Sequence, residues 1–330
     1  MRQTRALCVL VAILLPSLSH ATTVQGGDVV VSGSGIDATG LLRVDAITGA
    51  QTLIAAGNFG DFSFRGTDTI YALSAGSVVR VDVASGSQQV VSSGGSFVTP
   101  SGIAVSEDGR IFVSDYDALG GDGAIFEIDR VTGAQSVLTS AGFLLDNSPF
   151  PYSGTDLEIG PGGDLILLDP GSPGLVGGDV WSVDVTSGLQ TILYLDPGCC
   201  TAGSTGLGVA LNGDIYVSNG ADLNTLVLKI DAISLEPTIV GTIRIGDPAQ
   251  AVYLFNTDIA IGADGTGFMT GTPGGLHPWN GSPLLNPDGS FFSNGTFNEV
   301  QIAPVPEPGS AALLGMGCLY IALFRRRRRR

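Results

Sequence analysis

Charge is scarce in this chain, and positive charge scarcest. Only 14% of its 330 residues are charged, 15 of them basic against 31 acidic, for a formal net charge of −16; ordinary soluble domains carry about 25% charged residues. Cysteine is nearly missing, with four residues, and histidine is rarer still, with two. A disulfide framework and a multi-histidine metal centre are therefore excluded. No Gly-rich phosphate loop opens a helix, because helical patterning is almost absent. What is abundant is glycine, 49 residues or about 15%, roughly twice the usual share. Hydrophobic residues make up 44%, too many for a disordered chain. Frequent turns between short apolar strands are the reading that fits both.

The two ends are sorting segments rather than fold. Residues 1–21 open with Arg2 and Arg5, continue with an apolar run over 6–15 and finish Ser19-His20-Ala21. Charged start, short apolar stretch and small residues at the −3 and −1 positions predict a signal peptide cleaved after Ala21. At the other end Val305-Pro306-Glu307-Pro308 precedes sixteen uncharged residues, 309–324, and then Arg325, Arg326, Arg327, Arg328, Arg329 and Arg330. Sixteen helical residues span about 24 Å, short of a ~30 Å hydrocarbon core. Snorkelling arginines and local thinning still allow such a hydrophobic helix to be held in the inner membrane. The arginine block sets that end in the cytoplasm and leaves residues 22–304 outside.

This C-terminal arrangement resembles the PEP-CTERM sorting signal of Gram-negative bacteria, in which a Pro-Glu-Pro triplet, a short hydrophobic helix and an arginine cluster follow one another. The likeness covers 305–330. It implies recognition by an exosortase, a membrane-embedded cysteine protease that cuts near the triplet, and delivery to the cell envelope, cell surface or extracellular matrix. It also implies a setting of exopolysaccharide and biofilm, with extracellular polysaccharide or surface proteins as partners. Pro306 and Pro308 keep the triplet extended, accessible just outside the membrane.

Residues 22–304 hold 30 acids and 7 bases and so carry −23. Such a body repels nucleic acid and anionic lipid and favours cations or cationic partners. Cys8 and Cys318 lie in the end segments, which leaves only the adjacent Cys199-Cys200, read as loop residues or a vicinal disulfide. After export the one histidine is His277, beside Pro278 and Trp279, so a Ser–His–Asp triad has a single possible base.

The body repeats. Leu41-Leu-Arg-Val-Asp45-Ala-Ile-Thr48-Gly49-Ala-Gln51 returns as Val78-Val-Arg-Val-Asp82-Val-Ala-Ser85-Gly86-Ser-Gln88, and again ending Asp129-Arg-Val-Thr132-Gly133-Ala-Gln135 and Asp184-Val-Thr-Ser187-Gly188-Leu-Gln190. A degraded copy, Asp231-Ala-Ile-Ser234, has Leu235 where the glycine belongs. A second phrase begins at Gly102-Ile, Asp156-Leu, Gly206-Leu and Asp258-Ile, and turns at Asp108-Gly109, Gly163, Asn212-Gly213 and Asp264-Gly265. Both are hairpins: apolar strands meet at turns where Asp or Asn accepts backbone N–H groups and Gly takes positive φ.

Four antiparallel strands recurring about every 46 residues describe the blades of a β-propeller, and the length of 22–304 predicts six. A β-sandwich or β-solenoid is the competing architecture. Because residues 27–32 match only a second strand, the opening blade lacks its first. The apolar alternation of 297–303 predicts that the far terminus supplies it and closes the ring. The repeats resemble those of NHL and gluconolactonase-type six-bladed propellers over about 27–302. The expected fold is thus all-β: a six-bladed propeller of four-stranded antiparallel blades at 22–304, flanked by the signal peptide and the C-terminal hydrophobic helix.

The Asp-Gly turns and the Asp-x-x-Thr-Gly turns are expected on opposite faces. Loops after the second strands, carrying Asp115, Asp117, Asp169 and Asn219, are expected at the channel mouth, where their oxygens could hold Ca²⁺ or another ligand. Residues 115–122 do not fit an EF-hand, since Leu119 and Phe126 stand where oxygen ligands belong. A gluconolactonase-like metal site would also draw on inner-strand Asp156, Glu158 and Asp258. No catalytic residue is assigned. Two functions stay open: an exported surface binding or scaffold module, and a metal-dependent hydrolase or lyase working at the channel mouth.

Overall fold

In a computed structural model the described residues are 23–35, 37–45, 48–140, 156–169, 179–195, 204–219, 224–244, 258–262, 267–271, 275–278 and 296–304. The expected signal peptide at 1–21, the Pro-Glu-Pro triplet, the apolar segment 309–324 expected as a membrane helix, the arginine block and Cys199-Cys200 lie outside them. Among the described residues no helix is long and apolar enough to cross a membrane. Strands dominate, and each sheet is antiparallel with neighbours in chain order, except that the first sheet also takes in the last strand of the chain.

The first blade has Val29–Ser34, Thr39–Val44 and Gln51–Ala56 outward from Thr296–Ile302, which lies innermost. Val29 pairs with Ile302 and Val31 with Val300, so the ring closes as the sequence predicts. Phe297 and Val300 are fully buried there, each worth roughly 1.5–3 kcal/mol of apolar burial. The second blade runs from Phe62–Arg65 to Gln88–Ser93 and the third from Pro100–Val105 to Gln135–Ser140. Asp156–Ile159 to Gln190–Tyr194 form the fourth, and Ser204–Val209 to Pro237–Arg244 the fifth. The last sheet is Ile259–Ile261, Gly267–Gly271 and Gly275–Pro278. The expectation of six four-stranded blades is therefore corrected. Five sheets have four strands, and the sheet at 259–278 has three among the described residues, since 279–295 lie outside them.

Innermost strands pack in chain order around one axis, Phe62–Arg65 beside Pro100–Val105, then Asp156–Ile159, Ser204–Val209, Ile259–Ile261 and finally Thr296–Ile302, which meets Phe62–Arg65 again. The core is distributed between blades rather than gathered in one mass. Leu41 and Val30 of the first blade pack with Phe62 and Ile70 of the second. Phe268 and Leu276 of the last sheet pack with Val29, Val31 and Phe297 of the first. Central strands are thus covered on both faces: Ile111–Asp115 is buried throughout. Outer strands such as Gln88–Ser93 are mostly exposed, and only there does apolar alternation fade into polar sequence.

The Asp-x-x-Ser/Thr-Gly-x-Gln phrase proves to be both a turn and a latch. Asp129 Oδ1 accepts the N–H groups of Val131 and Thr132 at 2.9 and 2.7 Å, and Gly133 N–H donates to the Asp129 carbonyl at 2.8 Å. Gly133 sits at φ +71, and a Cβ there would lie 2.1 Å from the Val91 carbonyl oxygen of the preceding blade. Only glycine serves both demands. Two residues on, Gln135 Nε2 donates to Ser92 Oγ and the Gly94 carbonyl of that blade at 3.0 and 2.9 Å. Gln88 reaches the Ala56 carbonyl and Gln190 reaches Thr139 Oγ1 in the same way.

The expected placing of the turns is wrong. A meander returns to the same side after every second strand, so Asp-Gly turns and Asp-x-x-Ser/Thr-Gly turns share a face. Asp214, beside the Asn212-Gly213 turn, accepts the Ala232 N–H at 3.0 Å, and a Cβ on Gly213 would stand 3.1 Å from that of Ala232.

Candidate functional site

Each inner strand carries, at or near its start or within it, an acid or glycine followed by an apolar residue: Asp61-Phe62, Gly102-Ile103, Asp156-Leu157, Gly206-Leu207, Asp258-Ile259 and Glu299-Val300. The ring geometry stacks these six positions side by side. Asp61 Oδ1 accepts the N–H of Phe62 at 2.6 Å, while its Oδ2 reaches the next blade and accepts the N–H of Ile103 at 2.6 Å. Asp156 repeats this with Leu157 at 2.8 Å and Leu207 at 2.7 Å. Asp258 does so with Ile259 at 2.6 Å and Val300 at 2.7 Å. Acid staples therefore join blades two to three, four to five and six to one. At two of the three receiving positions, Gly102 and Gly206, no side chain blocks the incoming carboxylate.

These carboxyls are out of water: Asp61, Asp156 and Asp258 are 5%, 7% and 2% exposed. Burial drives Asp61 and Asp258 well above the usual carboxylate range, and the charge of Asp156 adds to both. Glu299 rises for the same first reason, then through Asp258, Asp61 and Asp156. Asp156 is pushed by burial to about 6, restrained by the Leu207 N–H. One layer along, Glu158 is raised to about 8, by burial and then by Asp156. Like charges this close cannot all ionise in a low-dielectric interior, so the cluster holds protons at neutral pH. Glu158 lines a cavity of about 480 Å³ walled by Val209, Ala260, Ile261, Phe268 and Ile302, and its Oε1 accepts from Gln301 Nε2 at 2.6 Å.

Of the loop residues singled out from sequence, Asp115 is fully buried and accepts the N–H groups of Val98 and Thr99 at 2.7 and 3.0 Å. Asp117 accepts from Thr99 Oγ1 at 2.5 Å, so the structure brings these two together around Thr99. Asp169 and Asn219 stand at the matching ends of the second strands in the next two blades, opposite Asp179 and Leu226 respectively. Asp156, Glu158 and Asp258 do converge. Asp61 and Glu299 complete their cluster, and sequence reading missed both. An acid followed by an apolar residue on the inner strand was the available signal, but Asp61 sits in a weak copy of the phrase and Glu299 on the strand supplied from the far terminus. Among the described residues no group of three or more His, Cys, Asp or Glu side chains is arranged to hold a metal ion. His277 lies on Gly275–Pro278 opposite Met269.

No protein-family model and no curated protein matches the chain. Solved structures match its fold. A chain from the crystal structure of a nidogen/laminin complex superposes with TM-score 0.59 at 13% identity, covering 84% of this chain and 98% of that one. TolB from Acinetobacter baumannii gives 0.52 at 13%, covering 84% and 66%. A protein of unknown function from Bacteroides thetaiotaomicron VPI-5482 gives 0.52 at 14%, covering 83% and 74%. At such identities the likeness is one of fold. The chain is a β-propeller of antiparallel blades, five of them four-stranded among the described residues.

Proposed function

We propose that this protein is an exported propeller that works as a binding or scaffold module of the cell envelope, surface or matrix. The observation that carries the reading is the use of the axial carboxyls. Asp61, Asp156 and Asp258 each hold backbone N–H groups of two blades, so the most concentrated polar chemistry near the axis serves to lock the ring. A locked ring presents its loops on a rigid frame, which lowers the ordering cost of binding a partner. The −23 charge of 22–304 keeps such a frame soluble outside the cell. Delivery runs through the signal peptide and a PEP-CTERM-like signal at 305–330, with an exosortase as processing partner and acidic or neutral exopolysaccharide in the surroundings.

Replacing Arg325, Arg326, Arg327, Arg328, Arg329 and Arg330 together by Ser tests delivery. The expected outcome is altered membrane retention and loss of the shortened surface form, read by fractionation and intact mass. Unchanged processing and location would overturn the sorting assignment.

A further inference from the structure

Residues 22–304 contain seven basic side chains in all, and their placement divides sharply. Arg43 pairs with Asp28 at 3.0 Å, Arg110 with Glu127 at 2.7 Å and Lys229 with Asp214 at 2.6 Å. Arg244 ends Pro237–Arg244. The other three, Arg65, Arg80 and Arg130, form no ion pair among the described residues, and all three line one cleft of about 380 Å³ between the second and third blades. Asp82 and Asp129 act on Arg80 and Arg130 through space, but their carboxylate hydrogen bonds go to neighbouring turn residues. Asp82 holds the N–H and hydroxyl of Ser85, and Asp129 holds the N–H groups of Val131 and Thr132.

The cations are drawn close. Arg65 Nε and Arg130 Nη1 lie 2.6 and 3.1 Å from where a Cβ on Gly109 would stand, so both guanidinium groups converge over the same bare turn. Three guanidinium groups on one cleft, none held in an ion pair among the described residues, in a domain where acids outnumber bases fourfold, make this the place on the surface where an anion can be gripped. Guanidinium forks take carboxylates bidentately and keep their charge at any working pH. Beside them Val90 and Val131 are exposed, at 59% and 85%, and give the cleft an apolar lip. Densely charged polymers would be repelled by the −23 body around this small positive spot. The fitting ligand has isolated carboxylates separated by neutral surface with an apolar face.

We infer that this cleft is a binding site for a uronate-bearing oligosaccharide, with the carboxylates on Arg65, Arg80 and Arg130 and a pyranose C–H face against Val90 and Val131. This rests on the reading of the propeller as a binding module and names a ligand class for it. The test is calorimetry on the full-length chain in detergent, with a short oligosaccharide alternating glucuronate and N-acetylglucosamine as probe and its carboxyl-reduced, neutral form of equal length beside it. The uronate should bind, more weakly as salt rises, and the neutral oligomer should not. The double substitution Arg65→Gln and Arg130→Gln should weaken binding at least tenfold with an unchanged melting temperature, since both side chains are exposed; Arg43→Gln, outside the cleft, should leave affinity as it is. Equal binding of the neutral oligomer, an unaffected double variant, or equal competition by a glutamate peptide of the same charge would each overturn the assignment. Those failures would leave envelope delivery of the parent chain intact, whereas failure of the arginine-to-serine delivery test would leave the calorimetry intact.

Discussion

The aspartates of the axis and those of the rim are the same residue doing the same local job, and the fold moves their acidity in opposite directions. Asp82, Asp129, Asp184 and Asp231 cap exposed turns, and their hydrogen bonds from Ser or Thr hold them below the usual range. Asp61, Asp156 and Asp258 also accept backbone N–H groups, yet burial raises all three. A hydrogen bond from an N–H favours the carboxylate in either place. Loss of water outweighs it at the axis, where the charged form has no solvent and has other carboxyls for neighbours. The rim copies fix local turns one at a time, whereas the axial copies fix blades to one another.

The comparison breaks most completely if the axis is opened. Deleting 297–304 removes the innermost strand of the first blade together with Val300, whose N–H Asp258 holds. The expected result is loss of the cooperative thermal transition; a truncated chain that melts like the parent would show that closure does not hold the ring.

Acidity gives a finer probe. Glu158 at about 8 and Asp156 at about 6 return to roughly 4 in the unfolded chain. Between about pH 4 and 8 the native state then binds more protons than the unfolded one, and stability falls as pH rises through that window. The rim aspartates contribute fully above about pH 4 and lose that contribution as pH drops below it. Melting curves should accordingly peak near pH 4–5, on the acid side of the common optimum. Glu158→Gln should flatten the alkaline limb and raise Tm at pH 8 by on the order of 2–3 °C, with little change at pH 4.5. A melting profile flat from pH 5 to 8 in the parent would contradict the buried proton cluster.

The smallest effect lies at the rim. Leu235 occupies the glycine position of its turn at φ +57, a left-handed conformation that costs a branched side chain about 1–2 kcal/mol. It is 38% exposed, so little packing is lost on removing it. Leu235→Gly should stabilise the chain by about 1 kcal/mol in denaturant melts. A destabilised variant would show that the degraded repeat has its own packing role.

Much of this could be read in the amino-acid order. The Asp45, Asp82, Asp129, Asp184 and Asp231 turns stand where the repeat places them, because an Asx-type turn needs only residues within one short span. Closure by the far terminus was legible too, from the missing first strand at 27–32. The strand count of the sheet at 259–278 was not, since the Asp258-Ile and Asp264-Gly265 phrase is followed there by no copy of the Asp-x-x-Ser/Thr-Gly turn. The sharing of a face by two turn types follows from meander geometry, which no single motif displays. Asp115 looked like a free loop oxygen and is a buried cap for 98–99. Its partners lie sixteen and seventeen residues away, beyond any local signal.

Sequence by itself determined the strand-and-turn alphabet and the acidic body, since propensity, turn chemistry and charge act within a few residues. Tertiary structure alone decided which acids meet: curling the sheets about one axis carries Asp61, Asp156, Asp258 and Glu299, separated by as many as 238 positions, within electrostatic reach of one another. The same curling sets Arg65 of one blade beside Arg130 of the next. Long-range proximity is a property of the closed ring, because only closure brings inner strands from the two chain ends side by side.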